Sequence, residues 1–455
     1  MITARMFPTK MQSKRNSRWY ALSALSLGYF LVMADQAIVP VLTPHLPAGV
    51  EDSVWITSVY LLFTVVPMLV TGRLGDRVGQ RRMYLIGLVV YLAGLALASV
   101  AASISVLVIA RAIQGLGAAA FLPQAFGVIN RVFPADARGP AYAVWGVVGS
   151  LGSLIGPVFA GAVVEGAGWR ATFAAQVLCG LVALGLAVMW VPRLSTTTAR
   201  IDAPSVIVSL VGLGGVIYGI QYGSWPAGIV GTLALLIFMW LQRGGGDEAL
   251  LPLCLFANRN FTLGSLGIAA MGFAVAAQFI PIMYWLQDGR GMDAVTAGAL
   301  TVPMSVVALI LTPFVGVAAD KVNPKILSAI GFATMSASMV WAWWVMVSGA
   351  AVWWMLGITA LKGVGSAFIW APNAATTMRT IPREMAGAAS GAYNTVRQVG
   401  SVVGVATIGG AMGVWLPQFG VEHAAAGTML ILAAVMCAGL IASFFLQSDI
   451  QARKR

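Results

Sequence analysis

The sequence contains few charged residues and few residues that bind metals or form disulfides. Only 9% of its 455 residues are charged, whereas 59% are hydrophobic. This composition excludes an ordinary soluble domain, in which about 25% of residues are charged. The cysteines, Cys179, Cys254 and Cys437, lie far apart and form neither a metal motif nor a disulfide framework. His45 and His423 fall near the ends of predicted spans, which favours loop positions over a proton relay.

Patterns that carry enzymatic chemistry are also missing. The sequence has no nucleophile–base pattern, no Walker motif and no metal-binding cluster, so we expect neither an enzyme nor a resident cofactor. The net charge of +12 at first suggests nucleic acid. The basic residues, however, lie in short segments between apolar runs, which is typical of membrane proteins. The expected partner is therefore the lipid bilayer, and no nucleic acid is expected.

Apolar runs of about 20 residues, the length that crosses a bilayer, repeat from end to end. We predict fourteen spans, at 20–43, 54–72, 83–102, 105–130, 140–164, 170–191, 204–222, 226–242, 261–286, 295–317, 326–348, 350–376, 386–412 and 424–446. The segments on one side of these spans hold 22 of the 27 Lys and Arg residues, and the other side holds only Arg170 and Arg290. Positive charge marks the cytosolic side. We expect a multi-pass protein of the cytoplasmic (inner) membrane with both termini cytosolic.

A short motif recurs in the two halves of the chain. Residues 134–139 match residues 382–387 at an offset of 248, and the same offset relates two glycine pairs, Gly152–Gly400 and Gly156–Gly404. Such repeats are typical of transporters built from related halves. We predict an all-α membrane protein with these parts: a tail at 1–19, a six-helix bundle at 20–191, two inserted transmembrane helices with connectors at 192–260, a six-helix bundle at 261–446 and a tail at 447–455.

Charged residues inside the predicted spans are the main functional candidates. Asp35 is the one carboxylate deep in a span, and such a group can exchange a proton for a cationic ligand or can simply pair with a buried base. Arg111, in the fourth span, carries a fixed positive charge that would act on Asp35 if the two lie close together. Lys362 takes a comparable place in the second half, where a functional role and a structural one are both open.

Two glycine-containing patterns are candidates for conformational roles. The stretch 72–82, GRLGDRVGQRR, joins spans two and three, and a partial echo at 316–321 argues against a plain basic loop; its candidate residues are Gly72, Gly75, Asp76, Arg77 and Gly79. The fifth span carries a ladder of small residues, Gly149, Gly152, Gly156, Pro157 and Gly161. Glycines at this spacing let another backbone approach. The pattern fits packing within one half and packing between the halves equally well.

Other polar and aromatic residues of the spans are candidates to line a cavity, although packing against lipid or the core explains each one equally well. They are Trp55, Tyr60, Gln114, Trp145, Gln278, Tyr284, Trp370, Asn373, Tyr393, Asn394 and Arg397. Aromatic faces suit lipophilic cations.

These motifs together resemble the major facilitator superfamily, and specifically its fourteen-span drug:proton antiporters, a multidrug efflux family. Residues 72–82 are similar to the superfamily signature between spans two and three, and residues 107–119 to its fourth-span motif. Residues 149–161 are similar to the antiporter motif of the fifth span, and Asp35 matches the acidic first-span position. Ala160 is a departure, because this motif usually ends in paired glycines.

The resemblance implies proton-coupled export of drugs, and hence antibiotic resistance, by alternating access, with the proton gradient as energy source and Asp35 and Arg111 in coupling. Because one carboxylate neutralises one positive charge, Asp35 should also bind substrate and favour monocationic or neutral lipophilic molecules over dications. We expect a monomer. The alternative is a proton-driven exporter of an endogenous metabolite or lipid, whereas embedded charges in two halves argue against a non-transporting sensor. Glu165 and Asp288, near outer span ends, are further candidates for coupling.

Overall fold

The computed structural model describes residues 9–134, 138–196, 203–244, 253–382 and 385–447. The outer parts of both predicted tails, the centre of the turn after the fourth span and most of the connector after the eighth span lie outside these ranges.

Fifteen α-helices make up most of the described ranges. They are α1 (Thr9–Leu42), α2 (Val50–Val78), α3 (Gln80–Ser99), α4 (Ile104–Val132), α5 (Arg138–Ala167), α6 (Trp169–Trp190), α7 (Ala203–Tyr222), α8 (Trp225–Gly244), α9 (Arg259–Ala277), α10 (Phe279–Tyr284), α11 (Ala294–Ala299), α12 (Val302–Lys321), α13 (Pro324–Ser348), α14 (Trp354–Met378) and α15 (Ala386–Phe444). A π-helical stretch, Trp285–Gly289, continues α10.

The predicted all-helical membrane fold is confirmed. Within the described ranges, twelve helices are long and apolar enough to cross a membrane, and the bent α2 makes a thirteenth if its two arms form one span. The last of the twelve, Ala389–Phe444, has 56 residues, which is enough for two crossings. A backbone break at Gly420, with φ of 76°, divides α15 into two arms. Glycine adopts this positive φ without steric cost, so one residue suffices to turn the chain.

Several predicted span boundaries differ from the observed helices. Helix α1 begins at Thr9, within the predicted tail, and the predicted loop at 413–423 is helical apart from Gly420. The predicted ninth span consists of α9, α10 and the π-helical stretch, and the predicted tenth consists of α11 and α12. Hydropathy reports how apolar a segment is, and it does not register such changes in helix geometry.

The helices pack in two groups with matching neighbours. In the first group α4 packs on α2 and α3, α1 on α5, and α3 on α6. In the second group α14 packs on α12 and α13, while α15 packs on α9 and α13. Helices α7 and α8 pack on each other, and α7 also contacts α2 and α15. The internal repeat in the sequence therefore corresponds to two bundles of the same design, with two additional helices at their junction.

Close glycine contacts follow the offset of 248 residues. A Cβ atom on Gly152 would meet the carbonyl oxygen of Phe30 on α1, and one on Gly400 would meet that of Ala269 on α9. Such close approach requires glycine in the packed helix. The fifth helix of each bundle is thus fitted to the first helix in the same way.

Candidate functional site

The central feature of the first bundle is an ion pair enclosed between two helices. Asp35 lies on α1 and Arg111 on α4, and their side chains are 0% and 1% exposed. Nη1 of Arg111 donates to both carboxylate oxygens of Asp35, at 2.9 Å to Oδ1 and 2.7 Å to Oδ2. Charge-assisted hydrogen bonds of this length are strong. Removing one partner of such a pair leaves an uncompensated buried charge, which is costly.

Arg111 has three further partners, all uncharged. Its Nη1 donates to Oε1 of Gln114 at 2.6 Å, and its Nε donates to the carbonyl oxygen of Ile56 at 3.3 Å. The ring of Tyr60 faces the guanidinium, with 4.3 Å between Cζ and the ring centroid. Gln114 shares a face of α4 with Arg111 because three residues make nearly one turn. These contacts would hold Arg111 in place if Asp35 took up a proton.

Glycines allow the neighbouring helices to enclose this pair. A Cβ atom on Gly115 would lie 2.6 Å from the carbonyl oxygen of Tyr60, and one on Gly94 would lie 2.6 Å from the amide nitrogen of Gln114. Side-chain carbons do not approach backbone atoms this closely, so α2 and α3 reach α4 because glycine stands at these positions. Glycines on α3 and α4 therefore set how closely the neighbouring helices shield the ion pair.

The ladder on α5 packs first against its own bundle. Gly149, Gly152 and Gly156 all face α1, and a Cβ atom on Gly156 would lie 3.0 Å from the carbonyl oxygen of Ala34. Because Ala34 precedes Asp35, this contact fixes α1 next to the ion pair. The first three glycines of the ladder thus pack α5 against α1 within the first half.

The end of the ladder packs against the other bundle. A Cβ atom on Gly161 would lie 2.5 Å from the carbonyl oxygen of Ala294 on α11, and one on Gly298 would lie 2.5 Å from the carbonyl oxygen of Pro157. Both glycines bring backbone against backbone across the two halves. The fifth-span pattern therefore performs both of the roles that the sequence left open.

Two hydrogen bonds join the halves near the same end. Nε2 of Gln287 donates to the carbonyl oxygen of Val41 at 3.3 Å, and the amide of Val295 donates to Oε1 of Glu165 at 3.3 Å. This is the end predicted to face outward from the charge of the connecting segments. In this conformation the two halves are therefore in contact at their outer ends.

Residues 72–82, predicted as a connecting loop, are instead the end of α2 and the start of α3, with Gly79 alone between the helices. This motif connects several helices at the end opposite to the packed outer ends. Oδ1 of Asp76 accepts from Nη2 of Arg131 at 3.0 Å and from Nε2 of Gln80 at 3.1 Å. Nη1 of Arg131 also donates to the carbonyl oxygen of Ser195 at 2.7 Å. Asp76 thus ties α2 to α3 and to the end of α4, while Arg131 reaches the segment after α6. Arg131 was not among the predicted motif residues, although it is the first basic residue after the fourth span.

The remaining loop residues have different surroundings. Gly79 has a φ of 108° and makes the turn between α2 and α3, and a Cβ atom on Gly75 would collide with the side chain of Gln124. Gly72 faces Pro123, whereas Arg77 is exposed.

Polar candidates of the second bundle form a cluster on α14 and α15. Nδ2 of Asn373 donates to the hydroxyl of Tyr393 and to the carbonyl oxygen of Gly264, each at 2.8 Å. The guanidinium of Arg397 faces the ring of Trp370, with 5.7 Å between Cζ and the ring centroid. Four predicted cavity residues are therefore brought together here.

An aromatic group of the first bundle lies near this cluster. Trp145 stacks on Tyr29 with 4.5 Å between ring centroids and 16° between the planes, and it also contacts Phe126 at 5.4 Å. Tyr29 is within electrostatic range of Arg397 across the two halves. Tyr29 was not among the predicted residues, because an aromatic residue in an apolar run gives no signal of its own.

Other predicted cavity residues have different neighbours. Trp55 makes edge contacts with Tyr218 and Tyr222 of α7, at centroid distances of 6.1 Å and 5.9 Å, so it packs against an inserted helix. Asn394 is exposed and donates to the carbonyl oxygen of Ser390 in its own helix. Hydropathy does not tell which side of an apolar helix faces a cavity.

Gln278 and Tyr284 are buried residues of the second half, and Tyr284 lies next to Ser53 on α2 of the first half. Nε2 of Gln278 donates to Sδ of Met304 at 3.5 Å, and Tyr284 is buried in α10.

Lys362 is the counterpart of Gln114 and not of Arg111. The repeat offset of 248 residues relates Gln114 to Lys362 and Gly115 to Gly363. A Cβ atom on Gly363 would lie 2.5 Å from the carbonyl oxygen of Met304 on α12, just as one on Gly115 would meet a carbonyl oxygen of α2. The Nζ atom of Lys362 is buried and has no hydrogen-bond partner in the described ranges. A buried donor without an acceptor costs free energy.

Replacing Lys362 with methionine should therefore raise the thermal stability of the purified protein and leave transport unchanged. Methionine has similar length and no polar hydrogen, so the change removes an unsatisfied donor worth about 1–3 kcal/mol. Tryptophan fluorescence during heating in detergent measures the melting temperature. Lys325→Met is the control, because it makes the same substitution at the start of α13. A lower melting temperature or lost transport in Lys362→Met would assign Lys362 a working partner.

Comparison with known proteins identifies the family to which this chain belongs. The model of the Major Facilitator Superfamily matches residues 25–405. The uncharacterized MFS-type transporter Rv1250 of Mycobacterium tuberculosis is 36% identical over 406 residues, which cover 87% of this chain and 70% of that protein. The tetracenomycin C resistance and export protein of Streptomyces glaucescens is 28% identical over 420 residues, which cover 88% of this chain and 77% of that protein.

A solved structure has the same fold. The crystal structure of an auto-inhibited POT family peptide transporter superposes with a TM-score of 0.70 and covers 96% of this chain and 98% of that chain, at 16% sequence identity. The matching family model, the relatives and the two related bundles agree, and the chain belongs to the Major Facilitator Superfamily.

Proposed function

We propose that this protein is a proton-coupled antiporter that exports lipophilic small molecules across the cytoplasmic membrane, as fourteen-span drug:proton antiporters do. The observation that carries the proposal is the fully buried pair of Asp35 and Arg111. An ionisable pair inside a membrane is costly and usually serves a transport pathway or a proton relay. A relative that is named for tetracenomycin C resistance and export supports the direction of transport.

In the proposed cycle, a proton from outside neutralises Asp35 and breaks its ion pair. Arg111 keeps its contacts with Gln114, Ile56 and Tyr60, so the arginine stays in place. The two halves then rock until their outer ends are packed, and Asp35 loses its proton to the cytosol and pairs again with Arg111. Substrate enters from the cytosol and leaves when the halves rock back.

In this proposal, residues other than Asp35 recognise the charge of the substrate. A monocationic or neutral lipophilic substrate was expected on the premise that Asp35 would face it. Both oxygens of Asp35 are occupied by Arg111 and its side chain is enclosed. We therefore propose that Asp35 binds the proton and that the cluster around Arg397 recognises the charge of the substrate.

Energised uptake tests the proposal. Everted membrane vesicles with an acidic lumen are given one of three matched probes: 1-pyrenebutyric acid, its neutral methyl ester or 1-pyrenebutylamine. Vesicles with the protein should accumulate at least one probe above vesicles without it, and an uncoupler should abolish the difference. Accumulation that persists after the pH gradient is collapsed would overturn proton coupling.

The same proposal predicts that both termini lie in the cytosol. Cys254 is exposed and follows α8, on the side that carries most Lys and Arg residues. With Cys179 and Cys437 changed to alanine, an impermeant thiol reagent should label Cys254 in everted vesicles and not in intact cells. Gly49→Cys, at an exposed position with free space before α2, is the control and should show the reverse. Labelling of Cys254 from outside would refute the orientation.

A further inference from the structure

The embedded part of the protein has more positive charge than its carboxylates neutralise. Asp35 is paired with Arg111. Lys362 and Arg397 lie on α14 and α15, and neither is paired with a carboxylate within the described part of the chain. Lys362 is fully enclosed, whereas Arg397 is partly exposed. Arg397 is thus the embedded cation that a ligand can reach.

The guanidinium of Arg397 has unused donors. It faces the ring of Trp370 but forms no hydrogen bond with any described residue. A guanidinium carries five N–H donors in a planar fork and has no acceptor. An unneutralised arginine at this depth is costly unless water or a ligand accepts from it.

The first bundle contributes a second embedded donor. Trp145 is 4% exposed, and its Nε1 has no hydrogen-bond partner among the described residues. Trp145 stacks on Tyr29, and the hydroxyl groups of Tyr29 and Tyr393 are both within electrostatic range of Arg397. The embedded donors of Arg397 and Trp145 lie beside aromatic rings, and the component that both lack is a group rich in acceptors.

We infer that Arg397, Trp370, Tyr393, Tyr29 and Trp145, here called the Arg397 subsite, bind the anionic group and the adjoining aromatic ring of the exported compound. A guanidinium binds a carboxylate through two parallel hydrogen bonds, and aromatic rings pack in offset or edge contacts. The substrate class is an amphiphilic aromatic monoanion. The assignment rests on the proposed export function, because the subsite joins two halves that separate during alternating access.

Binding of the three pyrene probes to purified protein in lipid nanodiscs tests the inference, because the probes differ only in their head group. Wild-type protein should bind the acid more tightly than the ester or the amine. Arg397→Gln should weaken binding of the acid at least about tenfold, because a single charge-assisted hydrogen bond already contributes about that factor, and leave the ester unchanged. Arg397→Lys should lose less, since the charge remains. Lys362→Met is the matched control: it removes an embedded cation outside the subsite and should have no effect.

Several results would overturn the inference. They are equal binding of the acid and the ester by wild-type protein, unchanged binding of the acid by Arg397→Gln, an equal loss in Lys362→Met, and no binding of any probe by folded protein. The proposed function fails separately. If the acid binds through Arg397 but uptake is independent of the pH gradient, proton coupling is wrong and the subsite stands. If uptake requires the gradient but Arg397→Gln binds and transports the acid normally, the subsite is wrong and proton coupling stands.

Discussion

Replacing Asp35 with asparagine should abolish gradient-driven transport and leave the protein folded. Asparagine keeps the shape of the side chain and an acceptor for Arg111, but it cannot take up and release a proton. Arg111 also retains Gln114, Ile56 and Tyr60 as partners. Probe uptake by energised everted vesicles should fall to the level of vesicles without the protein. Size-exclusion chromatography of the purified variant is the control for folding.

Removal of the arginine should have a different effect on stability. Arg111→Ala leaves the carboxylate of Asp35 enclosed without its partner, and breaking a buried pair in this way costs about 3–5 kcal/mol. The double variant Asp35→Asn/Arg111→Gln contains no uncompensated charge, so its melting temperature should lie well above that of Arg111→Ala. Neither variant should couple transport to protons, whereas Arg111→Lys should retain part of the activity because the charge persists. Gradient-driven uptake by the double variant would show that the pair is only structural.

Gly161→Val should stop transport by a steric effect far from the ion pair. A Cβ atom at this position would lie 2.5 Å from the carbonyl oxygen of Ala294 and 2.6 Å from Cα of Val295. Both are backbone atoms of the other half, so rotation of a side chain cannot relieve the contact. The halves should then fail to pack at their outer ends, and the state with those ends packed becomes inaccessible. Uptake by energised vesicles should be lost, although each bundle remains folded.

The distance between the two halves provides a direct measurement for this variant. Spin labels on cysteines at Gly166 and Ala351, both exposed near the outer end, should be further apart in Gly161→Val than in the parent protein. Gly146→Val is the matched control, because a Cβ atom on Gly146 of the same helix meets nothing within 4 Å. An unchanged distance with normal uptake in Gly161→Val would contradict the role assigned to the end of the ladder.

The sequence predicted the fold in most respects because apolar length, basic connecting segments and an internal repeat are all local signals. The offset of 248 residues reappears in the contacts that Gly152 and Gly400 make with α1 and α9. Helix α15 continues through residues 413–423, where a loop was expected. This was not predictable, because the positive φ of one residue, Gly420, turns the chain there in place of a loop. A glycine in such a stretch gives no indication of its dihedral angles.

The site was predictable to a smaller extent. Charge inside an apolar run identified Asp35 and Arg111, but the two-oxygen contact between them depends on the packing of α1 against α4. Helices that are apolar on every side do not indicate which face lines a cavity. Trp55 makes an edge contact with Tyr218 of α7, while Tyr29, which the sequence did not single out, stacks on Trp145.

Proton movement in purified proteoliposomes tests the central claim, that Asp35 exchanges a proton against substrate. Liposomes with equal pH on both sides and a pH-sensitive dye inside receive the pyrene probe that wild-type protein transports fastest. Liposomes without protein provide the background for passive entry. Wild-type protein should make the lumen alkaline as the probe enters, and Asp35→Asn should not. Equal alkalinisation by Asp35→Asn, or entry of the probe through wild-type protein without any change in luminal pH, would contradict the account.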